Sequence, residues 1–195
     1  MKNNIPKLTL LAIILSMALV THYIESMLPS LFPFAPGVKL GLANIFTLFA
    51  ITVLGYKAGL TVAVLRCVLA TFIGSPLSTL IYSLTGAILA FIAMSVSLKL
   101  AKGNVSYIGV SVLGSCFHNI GQVLAAGLIL NSVYIISYLP VLIAASLPTG
   151  LFIGYCTYFA TKALYASNAI TQFLDLSGKA RFETNYNKLK LRSKK

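Results

Sequence analysis

The sequence predicts an all-α integral membrane protein of six transmembrane helices, N-in and C-in, with a long capping loop between helices 1 and 2. Three observations predict it. Hydrophobic residues make up 58% of the 195 positions and charged residues only 9%, whereas a soluble domain carries roughly 25% charged residues. Several apolar runs approach or exceed the ~18–20 residues that cross a bilayer as a helix, and none shows the alternation of a barrel strand, so each must satisfy its backbone within a helix. The third observation is the placement of the basic residues. With the N-terminus inside, Lys2, Lys7, Lys57, Lys99, Lys102 and Lys162 join the seven Lys and Arg of the tail on the inner side; Lys39 alone falls outside, and Arg66 lies mid-span. Such an excess on one side fixes the orientation.

In chain order the expected spans are about 8–28, 41–55, 57–74, 77–98, 105–130 and 138–162. The first follows Lys2 and Lys7 as a signal peptide would, but it is too long for a 7–15-residue signal core and lacks a small-residue cleavage site, so it reads as a retained span. The second and third are short and join through Gly55-Tyr56-Lys57. Pro148-Thr149-Gly150 should kink or break the sixth near its middle. Small residues four apart (Ala12 and Ser16, Gly55 and Gly59, Gly150 and Gly154) suit close helix packing in lipid, and the first pair could instead face a partner subunit. Residues 1–164 form the six-helix domain; residues 165–195 form a basic cytoplasmic tail with a weakly amphipathic piece near Ile170–Leu176. Cys67, Cys116 and Cys156 lie in apolar runs without paired spacing and read as packing residues.

The formal charge of +12 belongs to loops and tail, so it speaks for membrane orientation and lipid contact rather than nucleic acid. Within the spans, each polar residue is expensive and therefore informative. At ~1.5 Å per residue, His22 lies ~21 Å and Glu25 ~25 Å from the cytoplasmic start of the first span. His118 lies ~20 Å and Gln122 ~25 Å up the fifth. Lys39 and Asn44 come in from the outer side of the second span, so these groups share one level in the outer half of the bilayer. Arg66, at ~13 Å, must use its long stem to reach them. His22 and Glu25 share a helix face, and Ser111, Ser115, His118 and Gln122 form one polar stripe.

Two readings of that level stay open. One is an interhelical network in which Arg66 or a histidine neutralises Glu25. The other is a ligand site. Lys39, Arg66 and two histidines outnumber the single carboxylate, which suits an anionic group, with Phe32 and Phe34 among the apolar walls. No paired carboxylates, metal-ligand set, nucleophile–base motif or phosphate-binding Gly loop is present, and no Asp-rich motif can hold Mg²⁺ for diphosphate chemistry. The expectation is a protein without catalytic residues, metal or cofactor.

Pro36-Gly-Val-Lys-Leu-Gly-Leu-Ala-Asn44, Arg66, Gly109-Val-Ser-Val112 and His118-Asn-Ile-Gly-Gln122 resemble the Gx transporter family, often labelled heptaprenyl diphosphate synthase component I, over roughly residues 8–162. That family is similar to the substrate-binding S components of energy-coupling factor (ECF) uptake transporters. The resemblance implies six helices and an outer-half site capped by the loop between the first two. It also implies a transmembrane coupling subunit and two cytoplasmic ATPases as partners in a bacterial plasma membrane. Its small-molecule substrate would be a small anionic or isoprenoid- or quinone-related precursor. Lys39 and Arg66 would attract the anionic group, while His22, Glu25, Asn44, His118, Asn119 and Gln122 would hydrogen-bond the polar part. The alternative is a non-catalytic membrane accessory subunit that anchors a soluble prenyl synthase.

Overall fold

Long apolar runs become helices here, and glycine, proline or a capping hydroxyl marks where they stop. The computed structural model describes residues 5–27, 39–74, 77–100 and 106–166. Among them are six α-helices: α1 (Ile5–Met27), α2 (Asn44–Val53), α3 (Tyr56–Phe72), α4 (Leu77–Leu100), α5 (Tyr107–Ile129) and α6 (Leu139–Ala166). A 3-10 helix, Val133–Tyr138, leads into α6. Four segments are long and apolar enough to cross a membrane: α1, α4, α5 and the stretch Val133–Ala166.

The two expected spans at 41–55 and 57–74 come out shorter than a full crossing. α2 has 10 residues and α3 has 17, which at ~1.5 Å per residue gives ~15 and ~26 Å of helix. Gly41 shortens α2 from the front, because its backbone has a φ of +79° that side-chain-bearing residues avoid. Three successive turns follow, from the Asn44, Ile45 and Phe46 amides to the Gly41, Leu42 and Ala43 carbonyls. At the other end the Leu54 and Gly55 amides both close on the Ala50 carbonyl, and Gly55 reverses the chain at a φ of +95°.

The expected break in the sixth span is absent: α6 runs unbroken from Leu139 to Ala166 with Pro148 inside it. Pro148 lies on the exposed side of the helix, so the hydrogen bond it removes is lost away from the bundle. The buried side keeps its ladder, reinforced by the Thr149 hydroxyl donating to the Ala145 carbonyl at 2.7 Å. Ser106 caps the start of α5, accepting the Gly109 amide at 3.1 Å.

α5 is the central helix, with its most extensive contacts to α4 and α6. Gly150 and Gly154 lie against it: an added methyl would come 2.5 Å from Val112 Cα or 2.6 Å from Ile108 Cα. At that approach the backbones themselves are in contact, which is how helices gain attraction where lipid already solvates apolar side chains. Leu48 and Ile51 of α2 join Ala90, Met94, Val110 and Ile153 in the inner packing core. α1 is the most peripheral, burying Ile14, Ala18, His22 and Glu25 along one stripe. Ala12 and Ser16 are exposed on its other side. All three cysteines are free thiols.

Candidate functional site

The connection into α2 explains why polar groups are gathered in this bundle. Lys39, Gly41 and Ala43 are buried although Lys39–Ala43 is not helical. Non-helical backbone inside an apolar bundle exposes amides that no neighbouring turn can satisfy. The flanking helices supply the acceptors. Gln122 Oε1 of α5 accepts the Lys39 amide at 2.8 Å. Glu25 Oε1 of α1 accepts the Gly41 amide at 2.5 Å and the Leu42 amide at 3.3 Å. Glu25's hydrogen bonds go to backbone amides, while the Arg66 and Lys39 side chains are close enough for their charges to act on it.

The remaining contacts fix the side chains' chemical states by elimination. A backbone amide can only donate, so Gln122 must present its oxygen to Lys39 and its NH₂ group to His118. Gln122 Nε2 lies 2.6 Å from His118 Nε2, which therefore accepts and leaves the ring proton on Nδ1, the edge facing Gly86 of α4. The Lys39 ammonium lies 2.9 Å from His22 Nε2 and 3.5 Å from the His22 carbonyl. With Lys39 as a donor-only ammonium, His22 Nε2 is the acceptor. Arg66, 1% exposed, donates from Nη2 to Asn44 Oδ1 at 2.7 Å, bringing its head up to the level that span counting anticipates.

Seven of the eight candidates thus meet around the start of α2: His22 and Glu25 from α1, Lys39 before α2, Asn44 at its first turn, Arg66 from α3, and His118 and Gln122 from α5. The eighth does not. Asn119 Nδ2 donates to the Leu142 carbonyl at 2.9 Å and to Ser146 Oγ at 2.8 Å, so it stitches α5 to α6. It follows His118 directly and is therefore rotated ~100° around the helix. Ser111, Ser115, His118 and Gln122 are all buried, and Ser111 bonds the Gly150 carbonyl at 2.6 Å.

Sequence reasoning missed Gly41. A methyl there would lie 2.5 Å from His118 Cδ2 and 2.9 Å from Asn44 Nδ2, so the absence of a side chain lets the connection thread between α5 and α2. The signal for it was a glycine between Lys39 and Asn44, two residues already singled out. Phe32, Phe34 and Pro36–Val38 lie outside the described residues, as does the tail from 167.

The charges and donors do not balance. Two basic side chains, Arg66 and Lys39, are buried with the single carboxylate of Glu25. Three buried donors in the group, Arg66 Nε, Asn44 Nδ2 and His118 Nδ1, have no partner. Among the described residues no three His, Cys, Asp or Glu side chains gather to hold a metal. The arrangement can accept hydrogen-bond acceptors or negative charge.

Fold and cluster together define a helical membrane protein with an ionisable interior built around a non-helical connection. Its family follows from the sequence as a whole. The chain belongs to the heptaprenyl diphosphate synthase component I family, whose sequence model matches residues 14–160, from the first turns of α1 nearly to the end of α6. All eight candidates fall inside that match. The family description makes the chain a component of an enzyme complex and implies a partner subunit. No curated protein and no solved structure matches it.

Proposed function

We propose that this chain is a non-catalytic membrane subunit of a heptaprenyl diphosphate synthase system, holding a small anionic, isoprenoid-related ligand for its partner. The observation that carries the reading is the surplus of basic over acidic side chains and the unpartnered donors beside the α2 connection. Leaving such groups buried and unmatched is costly, and a ligand acceptor removes the imbalance. Family membership supports a soluble prenyl synthase as the partner. On this reading all six helices insert, with N-in and C-in topology in a bacterial plasma membrane. The short α2–α3 hairpin is tolerated because most of α2 is buried in protein rather than facing lipid. Residues 1–164 hold the ligand, and the basic tail 165–195 faces the cytoplasm, where the synthase works.

A second reading has its own support. The cluster lies toward the end of the bundle that this topology turns outward, which suits capture from outside by an S-component-like uptake subunit, with a transmembrane coupling subunit and cytoplasmic ATPases as partners. Native mass spectrometry of the protein extracted from its own membrane separates the two. A co-purifying prenyl synthase supports the first reading, and co-purifying ATPases support the second. Protein that emerges without any small molecule or partner sinks both.

A further inference from the structure

The imbalance has a definite address. Arg66 hands one guanidinium N–H to Asn44 Oδ1, which fixes the Asn44 amide with its NH₂ group on the adjacent corner of the same head. That NH₂ and the Arg66 Nε–H are both buried donors without partners, and both residues are 1% exposed. They lie beside the first turn of α2, whose Asn44, Ile45 and Phe46 amides are already bonded to the Gly41, Leu42 and Ala43 carbonyls, so the side chains are the donors on offer. Lys39 belongs to a different contact, since its ammonium rests on His22 Nε2 and the His22 carbonyl. Glu25 directs its hydrogen bonds to the Gly41 and Leu42 amides and acts on the guanidinium only through its charge.

The geometry points to an oxyanion subsite formed by Arg66 Nε and Asn44 Nδ2, accepting the charged group of the ligand on two of its oxygens. This rests on the ligand-binding reading above and sharpens it: Arg66 and Asn44 hold the charge, and Lys39 holds the connection. A guanidinium fork recognises phosphate and carboxylate alike through paired N–H···O bonds. The oxyanion can come from a free small molecule or from a lipid headgroup.

The test uses the full-length protein, delipidated in maltoside micelles and phosphate-free buffer, with thermal unfolding followed during titration. The probes are pyrophosphate, succinate and dioleoyl phosphatidate, with chloride at matched ionic strength as control. At least one oxyanion should raise the unfolding temperature saturably where chloride does not. Stabilisation by phosphatidate alone identifies a lipid headgroup, and stabilisation by pyrophosphate or succinate a free anion. Arg66→Lys, which keeps the charge but loses the fork, should weaken that binding at least tenfold. Asn44→Ser should weaken it similarly, and Lys39→Met less than threefold. If no probe stabilises the wild-type protein more than chloride does, the subsite is overturned and the two donors belong to buried water. An equal loss in Lys39→Met also overturns it, by moving the charge to Lys39. A natural ligand that co-purifies yet carries no anionic group would overturn the subsite while leaving the ligand-binding reading intact.

Discussion

Glu25 gives the sharpest separation between a carboxylate that serves structure and one that serves charge. Its Oε1 is the acceptor for two buried amides, those of Gly41 and Leu42. Glu25→Leu keeps a side chain of comparable bulk but removes the acceptor, leaving both amides unsatisfied. An unsatisfied buried donor costs about 1–3 kcal/mol, so the pair predicts a loss of about 2–6 kcal/mol. Hydrogen bonds between membrane helices average nearer ~0.6 kcal/mol, which favours the lower part of that range. Glu25→Gln keeps an oxygen at the same reach and loses only charge assistance. The difference between charged and neutral hydrogen bonds, about 1 kcal/mol each, predicts a loss of about 2 kcal/mol at most. Equilibrium unfolding in mixed micelles, driven by dodecyl sulfate and followed by helical circular dichroism, measures both. The expected order is wild type, then Gln, then Leu. Equal losses in both variants would refute the reasoning, because they would make the charge, not the acceptor, what the fold needs.

Three further outcomes follow from the same contacts. Gly41→Ala combines a left-handed backbone with a methyl 2.5 Å from His118 Cδ2; strain of about 1–2 kcal/mol and overpacking of about 1–3 kcal/mol predict a loss of about 2–5 kcal/mol in the same unfolding assay. Asn119→Leu removes the bonds to Leu142 and Ser146 and should destabilise by about 1–3 kcal/mol, while ligand affinity stays within threefold of wild type; a larger affinity loss would return Asn119 to the ligand group. For topology, single cysteines replacing Lys57 and Val133, both exposed, are placed in a background with Cys67, Cys116 and Cys156 changed to Ala. In intact cells an impermeant maleimide should label position 133 and spare position 57 until lysis, and the reverse pattern contradicts the N-in orientation.

The sequence made the membrane helices and the level of the polar groups legible, for a physical reason. In a chain this apolar, each ionisable residue inside a span must be matched by another at the same depth, so counting ~1.5 Å per residue from the span starts brings His22, Glu25, His118 and Gln122 together. It even gives Arg66 its reach. What depth cannot give is azimuth across helices. His118 and Asn119 lie at nearly the same height, yet one faces the α2 connection and the other faces α6, and only the packing of α5 between α4 and α6 decides which. The second illegible feature was the shape of the chain before α2. A span drawn from 41 treats Gly41 as the first helical residue, whereas its left-handed backbone ends the connection and delays the helix to Asn44. That delay creates the demand for acceptors that Glu25 and Gln122 meet.

The family match and the cluster bear on function at different ranges. Membership in a synthase component family fixes the company the chain keeps and leaves open what its own residues do there. The residues answer with a division of labour among groups that composition alone would treat as interchangeable. Glu25 and Gln122 are committed to backbone, Asn119 to the α5–α6 seam, and Lys39 to His22. Subtracting those commitments leaves Arg66, Asn44 and the Nδ1 edge of His118 with donors in hand. A bundle needing polar residues only to fold its connection would stop at Glu25 and Gln122, since each of their acceptors meets a backbone amide. A buried guanidinium with an unpartnered Nε beside an equally unpartnered amide is the excess over that need, and it is the excess that argues for a ligand.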